Sequence, residues 1–439
     1  MIAIFGLGRS GLATAKAAHQ FGQECFVFDE KPESAFEGSS IVRELNELQI
    51  PIRFGFTNDF RGISQLVVSP GVAKFHPILK GALDMGIPIW SEIEFAYRIS
   101  KAPIIAITGT NGKSTTTAMT YLALKEQFEP VLCGNIYGSG FPEIPLTEAA
   151  ANSHGGQILV AEISSFQLEW IHDFRPNSAI VTNVSDDHLN RYDSFEEYRK
   201  TKLRVFENMG DGDTAAWHSP DILTQPPSEL KTLRFGAPSD YAYVDGSELM
   251  VAGKRFALSE FPFTESHNFL NAMAAVLLAM GATGASDPEP FVRGIQKFAG
   301  LTHRMQRIGE RGGILVINNS MCTNPAAVVA SSRSLPQRQH LLVGGVDKDM
   351  DFSPLAEYLR SAPHEVYLFG SDAEKIARQL DGGSTVFTTL ADAFAAACSR
   401  ASSGEVIMLA PGAASLDQFA DFRDRGEAFT AMAKEWLEK

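Results

Sequence analysis

Cysteine is scarce in this chain. Four occur in 439 residues, Cys25, Cys133, Cys322 and Cys398, far apart and with no C-x-x-C pair. No disulfide framework or zinc site follows, and a reducing cytoplasm is the expected compartment. Positive charge is also in short supply: 38 Lys and Arg stand against 52 Asp and Glu, a formal net charge of −14. Sequence-independent nucleic-acid binding and docking on anionic membranes need basic surface. Neither partner is expected, and any phosphate must be held by local backbone and a few placed cations. A membrane-spanning run is missing too. The most apolar stretch, about 268–285, carries Asn268, Asn271 and two glycines, which predicts a buried core helix rather than a span. The opening MIAIFGLGRSG has no basic region ahead of an apolar one, so no signal peptide is expected.

What is present is ordinary for a globular protein: 44% hydrophobic and 21% charged residues. At about 150 residues per domain, the length suggests roughly three domains. Strands and helices alternate, as parallel sheets with helical crossovers require. IAIFG, ECFVFD and QLVVSPG form a first series, APIIAITG, ILVAEISS and AIVTNVS a second, and GILVINNS, HLLVGG, EVYLFG and EVIMLAPG a third. Residues 217–262 are rich in Pro, Ser and Gly and read as loops with small antiparallel strands. The expected fold is α/β in three domains: a Rossmann-like domain at 1–91, a P-loop ATPase-like domain at 92–299 with a parallel sheet plus a small antiparallel part, and a Rossmann-like domain at 300–439.

The sharpest motif is Gly109-Thr110-Asn111-Gly112-Lys113-Ser114-Thr115, set between a buried strand and a helix-compatible run. Glycines let backbone N–H groups close around phosphate oxygens. The helix N-terminus adds positive dipole. Lys113 supplies a mobile charge for the β- and γ-phosphates, and Ser114 or Thr115 can ligate Mg²⁺. This G-x-x-G-K-S is shorter than the usual phosphate loop, and chance occurrence is the competing explanation. Glu162 ends the strand ILVAE, where a carboxylate can hold Mg²⁺. Asp186, Asp187 and His188 follow the next strand and should emerge on the same edge. Alone they would read as a solvated turn. Gly6-x-Gly8-x-x-Gly11, with Asp29 ending the next strand, fits any diphosphate-linked nucleotide, and Lys31 could meet a phosphate. Asn268 and Asn271 share one face at the start of the apolar helix. Their amides could read an adenine edge, and helix capping by Asn268 is the plainer role.

Together these stretches resemble the Mur ligase family over essentially the whole chain. Its carriers are GLGRSG, the SPG at 69–71, ITGTNGKST, GNIYG at 134–138, AEISSFQLE, NVSDDHLNRY, YRKTKLRVFEN, HNFLNAMAA, GLTHRM, GGVDKDMDFSPL and ASLDQFADFRDRG. The last resembles the glutamate-adding members. The resemblance implies an ATP-dependent ligase of cytoplasmic peptidoglycan synthesis, with UDP-N-acetylmuramoyl-L-alanine, D-glutamate and ATP as substrates, and a monomer. The substrate carboxylate would attack the γ-phosphate, and the amine of glutamate would then displace phosphate from the acyl phosphate. The first domain would hold the UDP-sugar through Arg9, Ser10, Asp29, Glu30, Lys31, Ser69, Pro70 and Gly71, helped by Asn135, Ser164 and Gln167. ATP would meet residues 109–115, Asn268, Asn271, Arg304 (with His303 beside it) and Asn319. Two Mg²⁺ sites would use Ser114, Glu162, His188 and a carbamylated Lys202. Lys113, Glu162, His188 and Lys202 are the implied catalytic set, and Thr323, Lys348, Ser415, Leu416 and Phe422 the amino-acid pocket. Read without the resemblance, Lys202 is a surface helix lysine like Lys200.

One departure stands out. Glutamate-adding members usually read D-S-K-x-T-N where this chain has Asn319-Ser320-Met321-Cys322-Thr323-Asn324. Asn319 can still hydrogen-bond a hydroxyl, but Met321 cannot replace an ammonium. A lost charge-assisted bond is worth roughly 1.5–3 kcal/mol. Re-tuning by another cation, a changed amino-acid specificity (L-glutamate or another) and a non-catalytic UDP-sugar-binding paralogue are the alternatives. A nicotinamide-dependent oxidoreductase would leave the Lys113 loop unexplained. Folylpolyglutamate synthases share that loop but not GLGRSG or ASLDQF.

Overall fold

Short apolar runs rich in Ile, Val, Leu and Ala form the central strands and are buried along their length, as parallel sheets covered on both faces require. The computed structural model describes the chain apart from residues 56–58, 186–190, 348–349, 363 and 381. It contains two compact units, Met1–Tyr137 with Phe141–Ala299, and Gly138–Gly140 with Gly300–Lys439.

The first unit holds two sheets. The N-terminal one is built from β1 (Ile2–Phe5), β2 (Cys25–Asp29), β3 (Ile52–Phe54), β4 (Gln65–Val68) and β5 (Ile89–Ser91), in the order β3-β2-β1-β4-β5. All its pairings are parallel. Phe5 lies level with Phe28 and Val68, so Gly6, Asp29 and Ser69 leave the sheet on one edge. Crossing over, the helix Arg9–Gln20 buries Ala13, Thr14, Ala15, Ala17 and Ala18 and leaves Arg9, Lys16, His19 and Gln20 outward.

The second sheet comprises β6 (Ile104–Thr108), β7 (Glu129–Gly134), β8 (Gln157–Glu162), β9 (Ser178–Val181), β10 (Thr214–His218), β11 (Lys231–Phe235), β12 (Ala242–Asp245), β13 (Glu248–Val251) and β14 (Lys254–Ala257). Their order is β14-β13-β12-β11-β10-β9-β6-β8-β7. Only β12, β13 and β14 pair antiparallel. β10 and β11 run parallel and extend the main sheet, which corrects the reading of 217–262 as wholly antiparallel strands and loops. The apolar helix spans Ser266–Thr283 and buries ten residues in this unit. Its cap is Glu265, so Asn268 lies inside the first turn and is not the cap.

In the second unit, β15 (Gln306–Arg311), β16 (Ile314–Asn318), β17 (Gln339–Gly344), β18 (Glu365–Phe369), β19 (Ser384–Phe387) and β20 (Val406–Leu409) take the order β15-β16-β20-β17-β18-β19. β15 alone is antiparallel. Asn318 and Leu342 both lie level with Leu409. The loops beginning at Asn319, Gly345 and Ala410 therefore share one carboxyl edge, the side on which open α/β sheets bind ligands.

Candidate active site

The β6–helix connection folds as a tight glycine-rich cradle. Gly109 has φ +142° and Gly112 φ +82°, conformations that suit glycine. Space demands glycine as well: a β-carbon at Gly109 would fall 1.9 Å from the Thr182 hydroxyl, and one at Gly112 would fall 2.7 Å from Asn271 Oδ1. Neighbouring strand ends hold the loop. Thr110 N–H donates to Asn183 O at 2.9 Å, Asn111 N–H to Asn183 Oδ1 at 3.0 Å, and Thr182 Oγ1 to Asn111 O at 2.7 Å. Lys113 heads the helix Lys113–Leu124, and its Nζ folds back on the carbonyls of Gly109 (3.1 Å) and Thr110 (2.9 Å). Ser114 is buried beside it.

Glu162 ends β8 level with Ile107 of β6. It is buried. Oε1 accepts from Asn135 Nδ2 at 3.3 Å, while Oε2 is buried without a hydrogen-bond partner. An unpartnered buried carboxylate oxygen is costly unless something positive meets it. Lys202 approaches from the helix Phe195–Leu203. It is 2% exposed, its Nζ donates to Gly109 O at 2.8 Å, and it lies 4.6 Å from the Tyr198 ring centroid. The surface reading of this lysine is thus wrong. Lys200, with 71% of its side chain exposed near Glu196, fits it instead.

A cavity of about 190 Å³ opens beside the loop. Asn111, Gly112, Asn183, His218, Phe235, His267 and Asn271 are among its lining. Asn271 accepts from Thr116 Oγ1 at 3.2 Å. Asn268 does not line the cavity, and its amide donates to Glu265 at 3.3 Å. His218 and Phe235 end β10 and β11 with ring centroids 5.4 Å apart. Burial pushes the His218 pKa down, keeping the ring neutral at neutral pH. Sequence reading missed both, since they fall in 217–262, the segment read as loops and small antiparallel strands.

On the N-terminal sheet, Asp29 accepts from Leu7 N–H (3.2 Å) and Lys31 N–H (3.1 Å), fixing the glycine turn. A β-carbon at Gly11 would fall 2.0 Å from Gly6 O, so the helix start sits tight against the strand. Ser69 Oγ is buried there without a partner. Arg9 pairs with Glu143 at 3.2 Å, and Glu30 with His76 at 3.0 Å. Ser10 lies in the first turn of the helix Arg9–Gln20, Lys31 follows the end of β2, and Pro70 and Gly71 follow Ser69 in the turn. Gln167 is engaged within the protein: its Oε1 accepts from the N–H and hydroxyl of Ser164 (both 2.9 Å), and its Nε2 donates to buried Glu92 at 3.2 Å.

Comparison with known proteins decides the family. Three family models match: Mur ligase MurD-like, N-terminal domain, at residues 1–91; Mur ligase middle domain at 107–279; and Mur ligase, glutamate ligase domain, at 303–413. A UDP-N-acetylmuramoylalanine–D-glutamate ligase of Syntrophus aciditrophicus is 35% identical, covering 97% of this chain and 96% of its own. The enzyme of that name from Pasteurella multocida is 34% identical, covering 99% and 98%. The chain belongs to the Mur ligase family. Among solved structures, UDP-N-acetylmuramate-alanine ligase from Thermotoga maritima shares the fold at TM-score 0.59 and 21% identity, covering 99% of both chains. A MurF ligase from the same organism, solved with ADP, does so at TM-score 0.56 and 19% identity, over 87% of this chain and 97% of that one.

Mur ligases are ATP-dependent, amide-forming enzymes of peptidoglycan synthesis that use Mg²⁺. The residues here fit such a cation: Ser114 and Glu162 offer hard oxygen donors, one of them unpartnered. Among the described residues no group of three or more His, Cys, Asp or Glu side chains could hold a metal. Asp186, Asp187, His188 and Lys348 lie outside the described residues.

The second unit of this Mur ligase gathers the loops expected to meet the amino acid. Ser415 is buried, Thr323 half-buried, and Leu416 63% exposed. Phe422 begins the helix Phe422–Glu438, and a β-carbon at Gly138 would fall 2.3 Å from its ring. Asn319 is buried, with Oδ1 accepting from Met305 N–H at 3.1 Å. Arg304 sits in the preceding turn, half-buried. His303 is interior to this unit, its Nδ1 3.1 Å from Asn318 Nδ2. A residue missed by sequence reading binds these loops together. Arg425 is fully buried and donates to Ser320 Oγ (3.1 Å), Ser320 O (3.0 Å) and Ala413 O (3.1 Å). Burial pushes its pKa down to about 10, with Asp417 and Cys322 opposing the shift.

Proposed function

We propose that this Mur ligase joins D-glutamate to UDP-N-acetylmuramoyl-L-alanine at the expense of ATP, in the cytoplasm and as a monomer. Residues 1–91 take the sugar nucleotide, 92–299 take ATP and Mg²⁺, and 300–439 take the amino acid. What carries the reading is the convergence of the glycine cradle, the unpartnered Glu162 carboxylate oxygen and buried Lys202 on one sheet edge. The enzymes named for this reaction, at 34–35% identity over nearly the full chain, support the choice of amino acid.

The chemistry proceeds by positioning and charge neutralisation. The alanyl carboxylate oxygen attacks the γ-phosphorus, and the bond to the ADP oxygen breaks. The amine of glutamate then attacks the acyl carbon. The acyl C–O bond breaks, phosphate leaves, and the amine sheds a proton. Lys113, now resting on loop carbonyls, swings onto the β- and γ-phosphates. The amides of 110–115 line those phosphates, and the cavity walled by His218, Phe235 and Asn271 receives the base. Ser114 and Glu162 would hold one Mg²⁺, and His188 with a carbamylated Lys202 a second; such ions would supply positive charge to the phosphates. Carbamylation would turn Lys202 into an anion with two acceptor oxygens where an ammonium now meets Gly109 O.

Met321 favours a second reading within the same reaction class, in which another amino acid replaces D-glutamate. The deciding measurement is phosphate release from ATP with UDP-N-acetylmuramoyl-L-alanine and D-glutamate, L-glutamate or no amino acid. Release that requires D-glutamate supports the first reading. Release with L-glutamate moves the specificity, and no release at all overturns ligation.

A further inference from the structure

Arg191 is a half-buried cation that joins segments far apart in sequence. Nε and one terminal nitrogen form a fork on the Glu169 carboxylate, at 2.9 and 2.7 Å. The same terminal nitrogen donates to Val72 O at 2.7 Å, and the guanidinium carbon lies 4.1 Å from the Phe166 ring centroid. The side chains of Arg191 and Glu169 are 13% and 1% exposed. A planar fork on a carboxylate, stacked on an aromatic face, is a geometry lysine cannot reproduce.

The three segments it joins matter. Val72 directly follows the Ser69–Gly71 turn of the N-terminal sheet. Glu169 directly follows the short helix Ser165–Leu168, capped through Ser164 and Gln167. Arg191 itself opens the stretch that leads into the helix Phe195–Leu203, which delivers Lys202 onto Gly109 O. Between them, Tyr192 is buried with its ring 5.3 Å from that of Tyr198. A second tie runs in parallel: Lys74 donates to Glu197, in the first turn of that helix, at 2.6 Å. The helix bearing Lys202 is thereby fastened at two points to the turn expected to hold the sugar nucleotide.

We propose that Arg191 is a positioning residue for the ligation reaction. Through Glu169 and Val72 O it fixes the Lys202 helix relative to the sugar-nucleotide turn, and so sets the spacing between the carboxylate to be activated and the phosphate that activates it. The inference rests on the ligase reading above. A misplacement of about 1 Å at such a distance can cost up to a hundredfold in rate, whereas a merely structural ion pair would change stability alone.

The test compares wild type, Arg191→Lys, Glu169→Gln and the double variant, reading phosphate release across Mg²⁺ and UDP-N-acetylmuramoyl-L-alanine titrations, with melting temperature alongside. Arg191→Lys should melt within a few degrees of wild type. Its kcat should fall about ten- to a hundredfold, its Mg²⁺ half-saturation should rise severalfold, and its KM for the amino acid should stay put. Glu169→Gln should behave alike, and the double variant should be no worse than either single one. Wild-type kcat and Mg²⁺ dependence in Arg191→Lys would overturn the proposal. So would a rate loss that disappears at temperatures where the variant is fully folded. If Arg191→Lys does not fold, Glu169→Gln carries the same comparison. Failure of wild type to release phosphate with any amino acid would instead sink the ligase reading and this inference with it. A ligating wild type beside an indifferent Arg191→Lys sinks the inference alone.

Discussion

The Lys202 ammonium donates to the carbonyl oxygen of Gly109, 2.8 Å away and 93 residues earlier in the chain. Gly109 opens the phosphate loop, so this lysine sits under the cradle and is closed off from solvent. Burying an ammonium costs several kcal/mol unless it is compensated.

Lys202→Ala should therefore cut phosphate release at least about a hundredfold, the scale on which a single electrostatic group acts in a water-poor site. The fold should survive, because removing a buried charge also removes its desolvation cost, which offsets much of what its contacts contribute. Circular dichroism and melting temperature check the fold. Carbamylation adds a second expectation: wild-type activity should fall in CO₂-depleted buffer and return on adding bicarbonate. Full activity of Lys202→Ala would remove this residue from the mechanism.

Gly109→Ala tests the cradle. The added methyl would meet the Thr182 hydroxyl at 1.9 Å, in a backbone conformation that L residues rarely adopt. Thr182 in turn donates to Asn111 O, so the clash would push on the loop itself. The expected result is a loss of roughly 1–3 kcal/mol in stability, with ATP affinity falling further than the melting temperature alone would explain. Calorimetric titration with ATP and Mg²⁺ measures it.

The strand-then-glycine pattern made the phosphate loop legible, since both its backbone angles and its crowding demand glycine at fixed positions. Asp29 was legible for a similar reason: it ends a strand next to a glycine turn. Lys202 and Arg425 were not. Each lies in a run of charged residues that reads as a solvated helix face, and each is buried where distant carbonyls meet it, Gly109 O in one case, Ser320 O and Ala413 O in the other. The pairing of β11 with β10 was hidden similarly. A short run such as KTLRF does not disclose whether its partner runs parallel, and the register is settled by the sheet it joins.

His303 gives the second unit a pH dependence. Burial pushes its pKa below the usual 6.5, with Glu427 and Asp421 opposing and Arg423 reinforcing the shift. The unfolded chain thus takes up the proton first as pH falls. Stability from this group is complete above about 6.5 and is lost as pH drops through that value toward the folded one. His364, also lowered by burial, acts in the same direction. Urea unfolding at pH 7.5 and 5.5 should show lower stability at the acid end, and His303→Gln should shrink the difference without removing it. An unchanged difference in that variant would assign the effect elsewhere.

Met321 is the sharpest test of the amino-acid pocket. Its N–H donates to His303 O at 3.1 Å, and its neighbour Ser320 is held by Arg425 and by Phe422 O. The loop backbone is thus fixed by bonds that do not involve the residue 321 side chain. A lysine there should enter without disturbing the loop, and its ammonium would join the loops proposed above to meet phosphate and the dicarboxylate. Met321→Lys should retain ligation. Its KM for D-glutamate should be equal to or below that of wild type, by up to about tenfold if one charge-assisted bond forms. Phosphate release at graded D-glutamate reads this directly. Complete loss of activity would mean that the pocket has been rebuilt around the thioether, and the amino-acid screen should then be widened to apolar side chains.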